Sequence, residues 1–431
     1  MPTTSPNSFK SNLLSGLFLS LTSMPQICTY SHIIGYSPLH ALRTAGIPII
    51  IFSLITDNPN LVIGVTAVTA VLTKSNLEFS YNNFTPQEYI SHVGAYSALT
   101  GIISLILALL GFPKLARKVP DSVKAGFKWG CAVGIIGNGI RDCISYDKKV
   151  LDSMPDNNIG KLLVQPFFAS LRELGGSKMS GSKAIEKLFL TLTNYNYWDL
   201  EPVVIFLLSC LLCKYGRKLL LGSAPKGTEV ILSTFGGTVF SYVTSYENRG
   251  GAIVGVQEGL SSGQWQWLPT LEFHNPVDVL SSENFLSNFN GSLGSALFSA
   301  LVFTMVNFLS IVAISSHFES DPGLSRAWVS PTKDLIAQGV ACLSSGLIGG
   351  GPIGGSLSRS LVSVILGATS YVSSISAGLT LLLLVNFVGG LLTFTPITSL
   401  AALVVCAVGV ESGHCWMVGG GGSGGSFRDE G

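Results

Sequence analysis

Apolar stretches of membrane-crossing length recur from one end of this chain to the other. A helix needs about 20 mostly apolar residues to cross a hydrocarbon core roughly 30 Å thick. Residues 13–34, 90–112, 119–140, 203–221, 293–318 and 371–394 qualify outright, and 335–348 does so with its flanks. Five more stretches are shorter or interrupted: 39–55, broken by Pro48; 61–73; 228–246, rich in Gly and Thr; 356–368, which follows a run of Gly and Pro; and 396–410. The pattern predicts an all-α polytopic membrane protein with about twelve segments. Only 11% of the 431 residues are charged, against about 25% in soluble domains, so a single water-soluble core is excluded. The net charge of +1 points to no nucleic-acid partner.

Charge placement predicts the topology. Lys114, Arg117 and Lys118 follow the fourth segment, Lys214, Arg217 and Lys218 close the sixth with Lys226 just beyond it, and Arg326 and Lys333 follow the eighth. Basic residues gather in short cytoplasmic loops, so residues 1–12 are expected inside, ahead of a membrane domain at 13–410. Two glycosylation sequons, at Asn83 and Asn290, then fall outside. So does a long loop at about 141–200, with short surface helices expected at 162–174 and 183–192. Residues 411–431 are expected to be a disordered Gly-rich tail. The apolar run at 13–21 continues past Met24-Pro25-Gln26 without a clear cleavage site, which argues against a removed signal peptide. Of the eight cysteines, Cys210 and Cys213 have CxxC spacing inside an apolar run. They are expected to be packed thiols, not a redox pair.

The densest chemistry lies at 349–362. A Gly/Pro-rich, non-helical stretch leads into a short helix bearing Ser356, Ser358, Arg359 and Ser360. Irregular backbone at membrane depth is tolerated only where protein or a water-filled cavity covers it. A charge inside a span marks function by default. The N–H groups and positive dipole end of a helix N-terminus attract anions, and Arg359 with the serine hydroxyls adds donors. The plainer reading, an Arg that snorkels or pairs with a carboxylate, finds no acid in its own span or the next. A counterpart occurs earlier. Residues 59–64 read as extended chain and 65–73 as a half-helix of small and hydroxyl residues, among them Thr66 and Thr69. Two half-helices in corresponding halves point to a midplane binding site in an inverted-repeat transporter.

These residues carry a family resemblance. Gly354-Gly355-Ser356-Leu357-Ser358-Arg359-Ser360-Leu361-Val362 resembles the tenth-helix signature of the SulP anion transporters. Met24-Pro25-Gln26, with Tyr30 four residues on, resembles that family's first-helix motif. Residues 62–69 are similar to its third helix and 119–127 to the start of its fifth. The resemblance implies a seven-plus-seven inverted repeat, with core and gate domains moving in alternating access, and a homodimer in the bilayer. It implies a small inorganic anion between the third and tenth half-helices. Ser358 and Arg359, with Ser360, would donate to it; Gln26 and Tyr30 would line the cavity, joined by Thr66 and Thr69. Sulfate is the first candidate substrate, with bicarbonate or chloride next, carried by exchange or uncoupled flux in the plasma membrane by default.

Two departures stand out. Leu309 occupies the place of a family Glu linked to proton coupling, which argues against proton symport by that route; His317 and Glu319 are poor substitutes. The family also continues with two further helices and a cytoplasmic STAS domain, whereas here residue 410 runs into the Gly-rich tail. That favours a second reading, a non-transporting truncated subunit. A nucleobase or borate carrier of related fold is a third, disfavoured by Arg359. Gly349, Gly351 and Gly354 formally match a dinucleotide fingerprint, but Pro352 interrupts it and no βαβ unit surrounds it. No enzyme, cofactor or metal site is expected, and the six histidines show no metal-ligand spacing.

Overall fold

The computed structural model describes residues 6–116, 118, 120, 122, 198–219, 228–253, 273–320, 330–366, 368–392 and 394–411. The segment expected at 119–140, the loop that follows it and the Gly-rich tail lie almost wholly outside these residues. The described helices are α1 (Pro6–Ile34), α2 (Pro38–Ile55), α3 (Ala67–Asn76), α4 (Glu78–Asn83), α5 (Pro86–Leu109), α6 (Phe112–Ala116), α7 (Leu200–Leu219), α8 (Thr228–Thr244), α9 (Pro276–Leu280), α10 (Glu283–Leu286), α11 (Leu293–Ser320), α12 (Pro331–Leu347), α13 (Leu357–Ile365), α14 (Val372–Leu392) and α15 (Ile397–Glu411). Two short strands, β1 (Ile63–Gly64) and β2 (Gly354–Gly355), precede α3 and α13. By length and composition, α2, α5 and residues 293–315 of α11 are fit to cross a membrane.

One order of elements occurs twice. Long helix, helix, strand with half-helix, helix is α1, α2, β1–α3, α5 in the first half and α11, α12, β2–α13, α14 in the second. The strands pair antiparallel, with Ile63 opposite Gly355 and Gly64 opposite Gly354, so the halves run in opposite senses. The halves also cross over. α14 packs on α1 and α2, while α5 packs on α11 and α12.

Glycine sets the closeness of these contacts. A Cβ at Gly46 of α2 would lie 2.6 Å from the Gly378 carbonyl of α14, and one at Gly378 would lie 2.8 Å from the Gly46 carbonyl. The same reciprocity joins α5 and α12. A Cβ at Gly94 would lie 2.7 Å from the Gly346 carbonyl, one at Gly346 would lie 2.6 Å from the Gly94 carbonyl, and Gly101 and Gly339 meet likewise. Without a hydrophobic drive between helices in lipid, such small-residue contacts supply the van der Waals packing that holds a bundle.

Pro48 does not break the second segment: α2 runs through it unbroken to Ile55. Proline costs one backbone bond there, and membrane helices accommodate that loss where neighbouring helices cover it. Here Pro48 is buried, and α12 and α14 both pack on α2. The first half-helix starts at Ala67, two residues later than its apolar run suggests, and reaches Asn76. A capping box explains the start: Thr66 and Thr69 cap each other's backbone N–H groups. Cys210 and Cys213 are both free thiols on α7.

Candidate functional site

The site is built where the two halves cross. On the second half, α12 ends in a Schellman turn. Gly350 N–H donates to the Ser345 carbonyl at 2.7 Å and Gly349 N–H to the Gly346 carbonyl at 3.2 Å. The turn needs φ > 0 at Gly349, which has φ +70°. The extended chain beyond it is stitched by side chains. Ser345 Oγ donates to the Gly351 carbonyl at 2.7 Å, and Asn307 Nδ2 of α11 donates to the Ile353 carbonyl. On the first half, the chain leaving α2 is held by Thr56 Oγ1, which donates to buried Asp334 Oδ1 at 2.6 Å, and by Asn58, whose Oδ1 accepts from Asn60 N–H at 3.2 Å. Side chains thus serve the non-helical backbone at this depth, as a membrane interior demands.

β1 and β2 then set the half-helices N-terminus toward N-terminus. Val62 links them: its carbonyl accepts from Ser356 N–H at 3.0 Å, and its N–H donates to Ser360 Oγ at 2.9 Å. Ser360 has no exposed surface, so its hydroxyl works as a clamp between the halves. Thr66 and Thr69 hold the α3 N-terminus through their reciprocal cap, with Thr66 N–H donating to Thr69 Oγ1 at 2.8 Å. The Ser356 side chain, by contrast, places no cap bond on α13. Ser358 follows at the second helical position; its side chain is outside the described residues.

Arg359 stands at the third position of α13, and only 2% of it is exposed. Its Nε donates to Gln26 Oε1 at 3.2 Å, its Nη2 donates to the Val65 carbonyl, and its Cζ lies 6.0 Å from the centre of the Tyr30 ring. These three groups are neutral and hold the guanidinium in place at the end of α13. Of the residues expected from sequence, Gln26, Tyr30 and Arg359 are brought into contact, with Thr66 and Thr69 at the facing helix end. Two residues of the site were not expected. Gly64 lies directly under the guanidinium, because a Cβ there would overlap Nη1. A Cβ at Gly354 would likewise overlap the Asn307 side chain. A glycine inside a strand signals such close approach, and this was the signal available in the sequence.

The sequon residues Asn83 and Asn290 share the lining of a separate cavity of about 980 Å³ between α4 and the start of α11. Leu309 lies part-buried on α11, and His317 and Glu319 have side chains outside the described residues.

Comparison with known proteins matches residues 9–155 and 167–411 to the sulfate permease family. High affinity sulfate transporter 1 of Stylosanthes hamata is 22% identical over 408 residues, covering 93% of this chain and 54% of that protein. Sulfate transporter 1.2 of Arabidopsis thaliana is 23% identical over 410 residues, covering 93% of this chain and 55% of that protein. The chain thus spans about half the length of these relatives. Among solved structures, the transmembrane domain of the cyanobacterium bicarbonate transporter BicA superposes with a TM-score of 0.69 at 16% identity, covering 93% of this chain and 88% of that one. The overall structure of SLC26A9 superposes with a TM-score of 0.68 at 17% identity, covering 94% of this chain and 58% of that one. These likenesses fix the fold as a multi-pass α-helical membrane fold. With the half-helices, their strand crossing and the matched residues taken together, the chain belongs to the sulfate permease family.

Proposed function

We propose that this chain moves a small inorganic anion across a membrane by alternating access, with the anion held between the N-termini of α3 and α13. One observation carries the reading: Arg359, a buried guanidinium bonded to Gln26, stands at the N-terminus of a half-helix that faces another half-helix N-terminus. Both helix ends present backbone N–H groups and the positive end of a dipole. In a low-dielectric setting a positive charge attracts an anion far more strongly than in water. The same features disfavour a neutral nucleobase or borate. Gln26 and Tyr30 orient the charge, Ser360 and the Thr66–Thr69 cap hold the frame, and Ser358 supplies a donor.

Sulfate is the first candidate, because relatives over most of this chain are named sulfate transporters; the fold it shares with a bicarbonate transporter keeps bicarbonate and chloride in view. Leucine at 309 cannot take up a proton, which supports exchange or uncoupled flux over proton symport. A homodimer in the plasma membrane is the assembly we propose. The test is uptake of radiolabelled sulfate into proteoliposomes, with chloride and bicarbonate as competitors, beside Arg359→Ala. Saturable uptake that the variant lowers at least about tenfold supports the reading; no uptake of any of the three anions by well-folded protein overturns it.

A further inference from the structure

We propose that Gly64, in the first half of the repeat, is a specificity-determining residue that sets where the Arg359 guanidinium, in the second half, sits. What the charge does rests on the anion-transport reading; where it sits rests on geometry alone. The two half-helices are not equivalent. Four residues after Gly64 stands Val68, and four residues after Gly355 stands Arg359, so this pair of positions carries one fixed charge, not two. That charge reaches across to the other half. Nη2 donates to the Val65 carbonyl and Nε to Gln26, both first-half groups, and the Tyr30 ring of α1 stands beside Cζ.

Gly64 is the floor of this seat. A Cβ built there would overlap Nη1, lie 3.2 Å from Cζ and lie 3.6 Å from Nη2. The guanidinium therefore occupies the space that any other residue's side chain would fill. With Gln26 and Tyr30 on its other sides, even a methyl group drives the guanidinium away from β1 and breaks its bond to the Val65 carbonyl. Its distance from the first N–H groups of α13 changes with it. A polyatomic dianion needs charge and N–H donors at a fixed separation, whereas a single-atom anion adjusts. A side chain at position 64 therefore penalises sulfate more than chloride.

The test uses the full chain with Gly64→Ala and with the pair Gly64→Ala/Arg359→Lys, whose thinner ammonium needs less room at the floor. Two readouts are taken: peptide-mapped labelling of Arg359 by phenylglyoxal, with the half-exposed Arg249 as internal standard, and the ratio of sulfate to chloride uptake in proteoliposomes. The expected result is an Arg359 protected in the parent chain and labelled in Gly64→Ala, with the uptake ratio lowered at least about tenfold. Protection equal to the parent's, or a ratio within about twofold of it, overturns the proposal. If the parent carries neither anion, the transport reading falls and labelling alone decides the seat. If Gly64→Ala fails to fold, recovery of monodisperse protein in the double variant supports the overlap, and failure of both variants overturns it.

Discussion

At the scale of single residues, the site depends on one charge and the neutral groups that hold it. Hydrogen bonds to a charged group contribute about 1.5–3 kcal/mol, so Gln26→Leu, which removes the acceptor for Arg359 Nε, should weaken anion binding roughly ten- to a hundredfold. Equilibrium binding of labelled sulfate to purified protein measures this, and an unchanged affinity would remove Gln26 from the site. Arg359→Lys should recover little of that binding, because an ammonium cannot donate to Gln26 and to the Val65 carbonyl at once. Affinity within about twofold of the parent's for the Lys variant would show that charge matters here without the fork of donors.

At the scale of elements, the half-helices and their strands carry the argument. Ser360→Ala strands the buried Val62 N–H, at a cost of about 1–3 kcal/mol. Its melting temperature should therefore fall while anion specificity stays. A melting temperature equal to the parent's would show that water replaces the hydroxyl. Thr66→Ala removes the α3 cap and should cost about 1 kcal/mol, read by the same thermal assay. Gln26 and Tyr30 were reachable only through the family resemblance, whereas both half-helices, the extended chain before each and Arg359 were legible in the sequence itself. They announce themselves by residue type: Gly and Pro before a short apolar run, and a charge where none is cheap. The bond from Val62 N–H to Ser360 Oγ was not legible, since the sequence offers Ser360 only as a donor to the anion and the link depends on where Val62 of the other half lies. The unbroken α2 was not legible either. Whether a proline interrupts a membrane helix depends on what covers the helix, and α2 is covered by α12 and α14, both far away in sequence.

At the scale of the whole molecule, the crossed halves meet through glycines that lie against backbone. Gly346→Leu should be severely destabilising, because its side chain meets the Gly94 carbonyl and Ala98 with no room to turn aside. Gly236→Ala, whose added methyl meets Leu212 alone, at 3.4 Å, among the described residues, should be tolerated. Size-exclusion profiles of the two variants from one expression host separate these outcomes, and a monodisperse Gly346→Leu would show that α5 and α12 can part. The crossing also bears on how the chain is made. β1 and the face of α2 that meets α14 emerge from the ribosome long before β2 and α14 exist. The first half must therefore wait in or beside the insertion machinery with strand groups and glycine faces uncovered. Slowing translation between the halves should lengthen that wait and expose the early helices to membrane quality control.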